Sequence, residues 1–237
     1  MKVRLFEIFT SVEGEGILYG TKTLFVRLAG CPFTCFYCDT KESLPLDSGL
    51  EYDIQDAYQL IDSNLKKQTY KVNFTGGDPL IQHEAVAKLA KYVQDKKIPT
   101  YLESSCFDLD RFNHVLPFID IVKIEFKTID SEFVDSKHYE RLIENAINCL
   151  KSSISTKKTT YIKVVVSSKT QLEEFTTLIA TIFNSVSKNQ IDGFIIQPTY
   201  GIAEPSLDLL LNLYDIVYPY YTDVKVVPQL HKFIGAP

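Results

Sequence analysis

The chain has 237 residues, 45% of them hydrophobic and 12% aromatic, which is enough to bury a full core. Its formal charge of -5, with basic residues scattered, gives no sign of nucleic-acid binding, and no segment approaches the ~18 uninterrupted apolar residues of a membrane span. The number of cysteines is odd, at five, and the start of the chain lacks a long apolar run. Both features favour a reducing cytoplasm over a disulfide framework, so we expect a cytoplasmic protein. Because the charge gives no sign of nucleic-acid binding, the expected partner is a small molecule.

From residue 22 onward, short apolar and β-branched runs alternate with longer stretches of helical period. Strands are predicted at 23–29, 71–75, 99–104, 120–126, 160–166, 193–198 and 223–228. Helices are predicted from Ile54 to Leu65 behind a cap at Asp53, around 86–93, and less sharply at 131–151, 170–186 and 205–217. Several strands are nearly apolar throughout, as in parallel sheets, and their alternation with helices predicts an α/β fold, either open or curled into an incomplete barrel.

No repeat or long linker interrupts this pattern, so the whole chain, 1–237, is predicted to be a single domain. The polar run at 151–160 is interpreted as a loop between a helix and a strand. In parallel α/β folds the chemistry sits at the carboxyl ends of the strands. The loop after the first predicted strand is therefore expected to carry functional residues.

That loop contains three of the five cysteines, Cys31, Cys35 and Cys38, within eight positions. Three interpretations are compatible with the spacing: a structural zinc site, a metal-free redox-active set, and a [4Fe-4S] cluster that leaves one iron open for an external ligand. Zinc needs a fourth ligand, and the nearest histidine, His83, is 45 positions beyond Cys38. Three cysteines on one loop offer little packing reason for a metal-free set.

The CxxxCxxC spacing, with the aromatic Tyr37 before the last cysteine, resembles the signature of radical S-adenosylmethionine (SAM) enzymes. A second segment, TGGDP at 75–79, ends a predicted strand and resembles the GGEP segment of that superfamily, with aspartate in place of glutamate. The resemblance implies a mostly parallel, partial TIM-like barrel, a [4Fe-4S] cluster on loop 31–38, and reductive cleavage of SAM to a 5'-deoxyadenosyl radical. It implies SAM contacts at Tyr37, Thr75, Gly76, Gly77, Asp78, Glu103, Ser105, Lys127 and Gln197.

The flanking segments EIFTSVEGEG (7–16), FVRLAGC (25–31) and CDT (38–40) resemble the 7-carboxy-7-deazaguanine synthase family, and VPQLHKFIGAP (227–237) matches its ending. The resemblance implies rearrangement of 6-carboxy-5,6,7,8-tetrahydropterin to 7-carboxy-7-deazaguanine with loss of ammonia. It also implies Mg²⁺ as a cofactor, an external electron donor of the flavodoxin or ferredoxin type, and a homodimer.

The same resemblance implies that a C-terminal tail, 228–237, contacts the substrate, and that Thr40 binds Mg²⁺. Its implied substrate contacts are Glu13, Gly14, Glu15, Gly16, Arg27, His231 and the carboxylate of Pro237. Independently of the family, Arg27 lies within an apolar strand, where a guanidinium is expensive to bury without a partner; that partner is either the substrate or a structural acid.

Glu13 departs from the family, which has glutamine at that position. If the family contact there is through the backbone, nothing changes; if it is through the side-chain amide, a donor is lost and a charge is added. Two alternatives to the synthase remain open. One is a radical SAM activase that acts on a glycine of a partner protein, and the other is a non-catalytic iron-sulfur or zinc module.

Overall fold

The computed structural model describes residues 1–131 and 136–235. Its strands are β1 (Lys2–Val12), β2 (Lys22–Leu28), β3 (Leu50–Asp53), β4 (Lys71–Gly76), β5 (Thr100–Ser104), β6 (Ile121–Phe126), β7 (Thr159–Val166), β8 (Gly193–Pro198) and β9 (Val224–Val226). Its α-helices are α1 (Ile54–Asn64), α2 (His83–Asp95), α3 (Leu109–Val115), α4 (Ser136–Ser155), α5 (Leu172–Ser185), α6 (Leu207–Val217) and α7 (Leu230–Ile234).

All of these strands belong to one sheet, in the order β3-β1-β2-β4-β5-β6-β7-β8-β9. The strands from β2 through β9 that neighbour one another are parallel, whereas β1 is antiparallel to both β2 and β3. The sheet is open, with β3 and β9 at its two edges. The prediction of a mostly parallel α/β sheet that forms an incomplete barrel is confirmed.

The seven predicted strands are β2 and β4 to β9, with ends that differ from the predictions by at most two residues. The strands β1 and β3 and the short helices α3 and α7 were not predicted. The run 151–160 is not simply a loop, because α4 continues to Ser155, where hydroxyls of Ser155 and Thr156 donate to the carbonyl of Ser152. Residues 132–135 of the helix predicted at 131–151 lie outside the described residues.

Asp53 is the N-cap residue of α1 as predicted, but its side chain makes no capping hydrogen bond. It accepts instead from Lys2 Nζ at 3.2 Å, which joins the start of β1 to the end of β3. Elsewhere, the part of the chain that the structure describes contains no helix with the length and apolar character to cross a bilayer.

The two faces of the central strands differ, because successive side chains along a strand point to opposite sides. One face carries the apolar core that packs against the helices, with fully buried members such as Val72, Phe74, Ile124, Ile162 and Ile196. The residues between them in sequence face the inside of the curved sheet. At the bottom of this inner face a smaller apolar cluster closes the barrel, built on Tyr101, Ile121, Tyr161 and Ile195. Charged side chains lie above it, and they form the site.

Candidate active site

A cavity of about 430 Å³ lies at the carboxyl ends of the parallel strands, within the size range of small-molecule sites. Its lining includes every described residue that the sequence assigned to cluster, cofactor or substrate, except Gly16. Gly16 has a φ of 68°, and a Cβ there would lie 2.0 Å from Tyr161 Oη, so this glycine allows a turn against the apolar cluster at the bottom of the barrel. Pro237 lies outside the described residues.

The three cysteines lie on one side of this cavity, where Cys35 and Phe33 pack against Leu142 of α4. Burial raises the pKa of the Cys31 thiol to about 12, with a further contribution from the charge of Asp78. The Cys31 thiol therefore stays protonated at neutral pH, so a metal that binds it must displace its proton. Among the described residues, no three His, Cys, Asp or Glu side chains lie close enough together to hold a single metal ion.

A lysine stands beside the cysteine loop. Lys127 Nζ lies 5.5 Å from the ring centroid of Tyr37 and forms an ion pair with Glu125. Burial lowers the pKa of Lys127, but the neighbouring charge of Glu125 outweighs it and holds the pKa well above its usual value. The predicted cofactor contacts Lys127 and Tyr37 therefore place a permanent cation and an aromatic face next to Cys35.

The glycines of the TGGDP segment let the end of β4 pass close to the cysteine loop. A Cβ on Gly76, whose φ is 140°, would lie 2.2 Å from the Leu28 carbonyl oxygen, and one on Gly77 would lie 2.3 Å from that of Gly30. Asp78 N donates to the same Gly30 oxygen at 2.8 Å. Glycine is required here by the approach of two backbone segments.

Asp78 and Ser105, two predicted cofactor contacts, bind each other. The buried Asp78 carboxylate accepts from Ser105 Oγ at 2.6 Å, from Ser105 N at 3.0 Å and from Leu80 N at 3.0 Å, while Ser104 Oγ adds a further bond at 2.9 Å. These bonds join the ends of β4 and β5 and fix the Thr75 to Asp78 backbone along the cavity wall.

The floor of the cavity is a network of lysines and glutamates from the adjacent strands β5, β6 and β7, joined by Glu15 from the loop after β1. Lys163 Nζ lies 2.6 Å from Glu15 and 3.1 Å from Glu125, and Lys123 Nζ lies 3.2 Å from Glu125 and 3.5 Å from Glu103. Of these five residues, sequence reasoning identified Glu15 and Glu103 only. The signal for Lys123, Glu125 and Lys163 was the same as for Arg27, a charge within an apolar strand.

Glu15 is held by donors from three separate segments. Its Oε2 accepts from Lys163, and its Oε1 accepts from Gln229 Nε2 at 2.8 Å and from Gln197 Nε2 at 3.1 Å. Although burial raises the pKa of Glu15, the charges of Lys163 and Lys123 bring it below its usual value. Glu15 is thus an ionised acceptor in a fixed orientation.

Arg27 and Glu13 each form an ion pair with a side chain of opposite charge. Arg27 Nε donates to Glu7 Oε1 at 2.6 Å, so the structural acid considered for Arg27 exists, although Arg27 also lines the cavity. Glu13 Oε2 accepts from the buried Lys71 at 2.6 Å. The added charge of Glu13 is therefore matched by a lysine that sequence reasoning did not identify.

The C-terminal helix α7 docks on the loop that carries the predicted Mg²⁺ ligand Thr40. Asp39, next to Thr40, lies 3.5 Å from His231 Nε2 and 3.4 Å from Lys232 Nζ. Burial raises the pKa of Asp39, but the hydrogen bond from His231 and the charge of Lys232 bring it well below its usual range. Gly14 accepts from Leu230 N at 2.9 Å, and His231 packs against Gly14 so closely that a Cβ would lie 2.3 Å from its Nδ1.

An open, mostly parallel α/β barrel with a three-cysteine loop and a glycine segment at one cavity defines an enzyme of the radical SAM class. The family described as a 4Fe-4S single cluster domain matches residues 12–149. A 7-carboxy-7-deazaguanine synthase of Archaeoglobus fulgidus is 32% identical over 99% of this chain and 99% of the relative, and one of Methanocaldococcus jannaschii is 30% identical over 97% and 98%. The chain belongs to the 7-carboxy-7-deazaguanine synthase family.

Solved structures agree on the fold. The crystal structure of QueE from Escherichia coli matches 98% of this chain and 95% of its own, with a TM-score of 0.65 and 18% identity. A structure of TYW1 with a lysine-pyruvate adduct bound matches 84% of this chain and 74% of its own, with a TM-score of 0.58 and 14% identity. At these identities the likeness concerns the arrangement of strands and helices.

Proposed function

We propose that this protein converts 6-carboxy-5,6,7,8-tetrahydropterin to 7-carboxy-7-deazaguanine, with ring contraction and loss of ammonia, in queuosine or deazapurine biosynthesis. The observation that carries the proposal is that one cavity collects the cysteine loop, the TGGDP segment, Glu15 and the C-terminal residues Gln229 and His231. These segments are far apart in the chain, and each matches the family.

The donor set fits the cofactors of this family. Three thiols from one loop are the soft ligands that iron-sulfur clusters take, so Cys31, Cys35 and Cys38 would hold the cluster. The segment from Thr75 to Asp78 would contact SAM, together with Glu103, Ser105, Lys127 and Gln197. When bound, the cluster and SAM supply a radical that abstracts hydrogen from the substrate.

The chain's own residues bind and orient the pterin. A carboxylate has about four acceptor positions, and three of those on Glu15 are taken by Lys163, Gln197 and Gln229, so one remains for an N–H of the pterin edge. Arg27 and His231 are donors for the substrate carboxylate or carbonyl, since both line the cavity. Because the charged floor is internally paired, it presents rigid, preorganised dipoles.

We further propose Mg²⁺ binding at Thr40, which is supported by the neighbouring Asp39 carboxylate, since Mg²⁺ prefers oxygen ligands and takes one or two carboxylates with water and substrate. A homodimer is supported by exposed apolar side chains along α6 and at its C-terminal cap, namely Leu207, Leu211 and Tyr218. Five free cysteines support a reducing, cytoplasmic location, where a flavodoxin or ferredoxin would supply electrons.

An anaerobic assay tests the reaction. The cluster is reconstituted, SAM, reductant, Mg²⁺ and 6-carboxytetrahydropterin are added, and 7-carboxy-7-deazaguanine is detected by mass. Cys35→Ser should lose iron and product, whereas Cys149→Ser, which removes a buried thiol outside the cavity, should retain both. Cleavage of SAM to 5'-deoxyadenosine without product would point to another substrate, and neither product nor cleavage from a protein with a verified cluster would refute the proposal.

A further inference from the structure

A buried lysine contacts the cavity wall from behind. Lys71 is the first residue of β4, its side chain has no exposed surface, and it is not among the described residues that line the cavity. Its Nζ donates to Glu13 Oε2 at 2.6 Å and to Thr23 Oγ1 at 2.6 Å, and lies 4.9 Å from the ring centroid of Tyr101. An unpaired ammonium would be expensive to bury here, so Lys71 and Glu13 depend on each other.

The two oxygens of the Glu13 carboxylate have different surroundings. Oε2 accepts from Lys71 and, at 3.4 Å, from Asn73 Nδ2. Oε1 accepts no hydrogen bond from the described residues. The fully buried side-chain oxygens that lack a partner do not include it. It is therefore accessible, and because Glu13 is only 2% exposed and lines the cavity, Oε1 faces the cavity.

Lys71 decides which side chain at position 13 can present an acceptor to the cavity. A carboxylate has two acceptor oxygens, so Glu13 can bind Lys71 with one and a ligand with the other. A glutamine has a single oxygen. If that oxygen accepted from Lys71, the amide NH₂ would face the cavity, and a site that accepts a hydrogen bond would become one that donates.

We propose that Lys71 is a positioning residue that holds Oε2 of Glu13, so that Oε1 accepts a hydrogen bond from an N–H group of the bound pterin. The identity of the ligand rests on the proposed function. Glu13 and Lys71 act as a unit, and exchanging one without the other inverts or removes the hydrogen bond that the cavity offers.

Four variants test this inference: Lys71→Met, Glu13→Gln, the double variant, and Lys91→Met as a surface control whose partner is Asp95. Each single variant in the pair should raise KM for 6-carboxytetrahydropterin by about tenfold or more, the effect of one charge-assisted hydrogen bond, with a smaller change in kcat. In the double variant the glutamine can turn its oxygen to the cavity, so KM should fall back by about fivefold or more from that of Glu13→Gln. Lys91→Met should behave as the wild type.

Iron content, thermal unfolding and SAM cleavage without substrate are measured on every variant, to show that the cluster and the fold are intact. A wild type that cleaves SAM but forms no deazaguanine defeats the proposed function and this inference together. A wild type that forms product, with an unchanged KM in Lys71→Met, overturns the inference alone. If Lys71→Met does not fold, the double variant provides the test. A KM of the double variant that is no lower than the KM of Glu13→Gln would then overturn the inference.

Discussion

Replacing Lys163 by methionine would test whether the charged floor of the barrel keeps the substrate site in its ionised form. Lys163 is 4% exposed and contacts both Glu15 and Glu125, so its loss leaves two buried carboxylates with fewer partners. Removal of one member of a buried ion pair costs ~3–5 kcal/mol, and each kcal/mol shifts Tm by ~2–4 °C in a chain of this size. We therefore expect Tm to fall by roughly 6–20 °C.

The substitution should also make substrate binding depend on pH. Burial raises the pKa of Glu15, and the charge of Lys163 is the largest influence that lowers it. Without Lys163 the pKa of Glu15 rises, so the carboxyl takes up a proton as the pH falls and loses acceptor capacity. KM for the pterin should therefore increase from about pH 8 to about pH 6 more steeply in the variant than in the wild type.

The measurements are anaerobic thermal unfolding and steady-state kinetics across that pH range. Lys225→Met is the matched control, because Lys225 Nζ lies 3.1 Å from Asp223 in an exposed pair, and such pairs contribute only ~0–1 kcal/mol. Equal Tm values for Lys163→Met and Lys225→Met, together with parallel pH profiles, would show that the network does not hold Glu15 in place.

Three further predictions concern single positions. Cys106 has a φ of 56°, where glycine is favoured over alanine by ~1 kcal/mol, so Cys106→Gly should resist urea better than Cys106→Ala; the reverse order would contradict this reading. Gly14→Ala places a Cβ against His231, so KM should rise and the C-terminal segment should be cut faster by protease, whereas an unchanged cleavage pattern would argue against the contact. Burial raises the pKa of Glu13 to about 7, so folding favours its protonated carboxyl; this contribution to stability is fully present below about pH 4.5 and lost as the pH rises through 7, above which Glu13 is the carboxylate that pairs with Lys71. Glu13→Gln should flatten the dependence of Tm on pH over that range, and a curve parallel to that of the wild type would refute the assignment.

The elements of the fold that are marked by a short, continuous sequence pattern were predictable. Strands β4 to β8 are short apolar runs between helices, and their core-facing residues are buried whichever partner strand they take. β1 was not predicted because Lys2–Val12 contains several polar and charged residues and pairs antiparallel to β2, outside the alternation of strand and helix. The short helices α3 and α7 have too few turns for a period to stand out.

The cysteine loop and the glycine segment were predictable for the same reason, since each is a compact motif. The pairing of the charges was not. Glu15 and Lys163 are 148 positions apart, and Glu13 and Lys71 are 58 apart, so only the folded sheet brings the members of each pair together. A charged residue within an apolar strand indicates that a partner exists, but the strand order is needed to name that partner.

The paired charges also bear on how the cavity discriminates between ligands. Together with Lys127, which pairs with Glu125, the floor contains three acids and three lysines, namely Glu15, Glu103, Glu125, Lys123, Lys127 and Lys163. Because these charges balance, the floor does not select a ligand by its overall charge, and recognition depends on the direction of individual donors and acceptors. Glu13 and Lys71 extend the same arrangement, since the extra negative charge at position 13 is cancelled behind the wall and what reaches the cavity is a single oriented oxygen. A change that unbalances the pair of Glu15 with Lys163, or of Glu13 with Lys71, should therefore alter substrate affinity before it alters SAM cleavage, since none of these four residues is a predicted SAM contact.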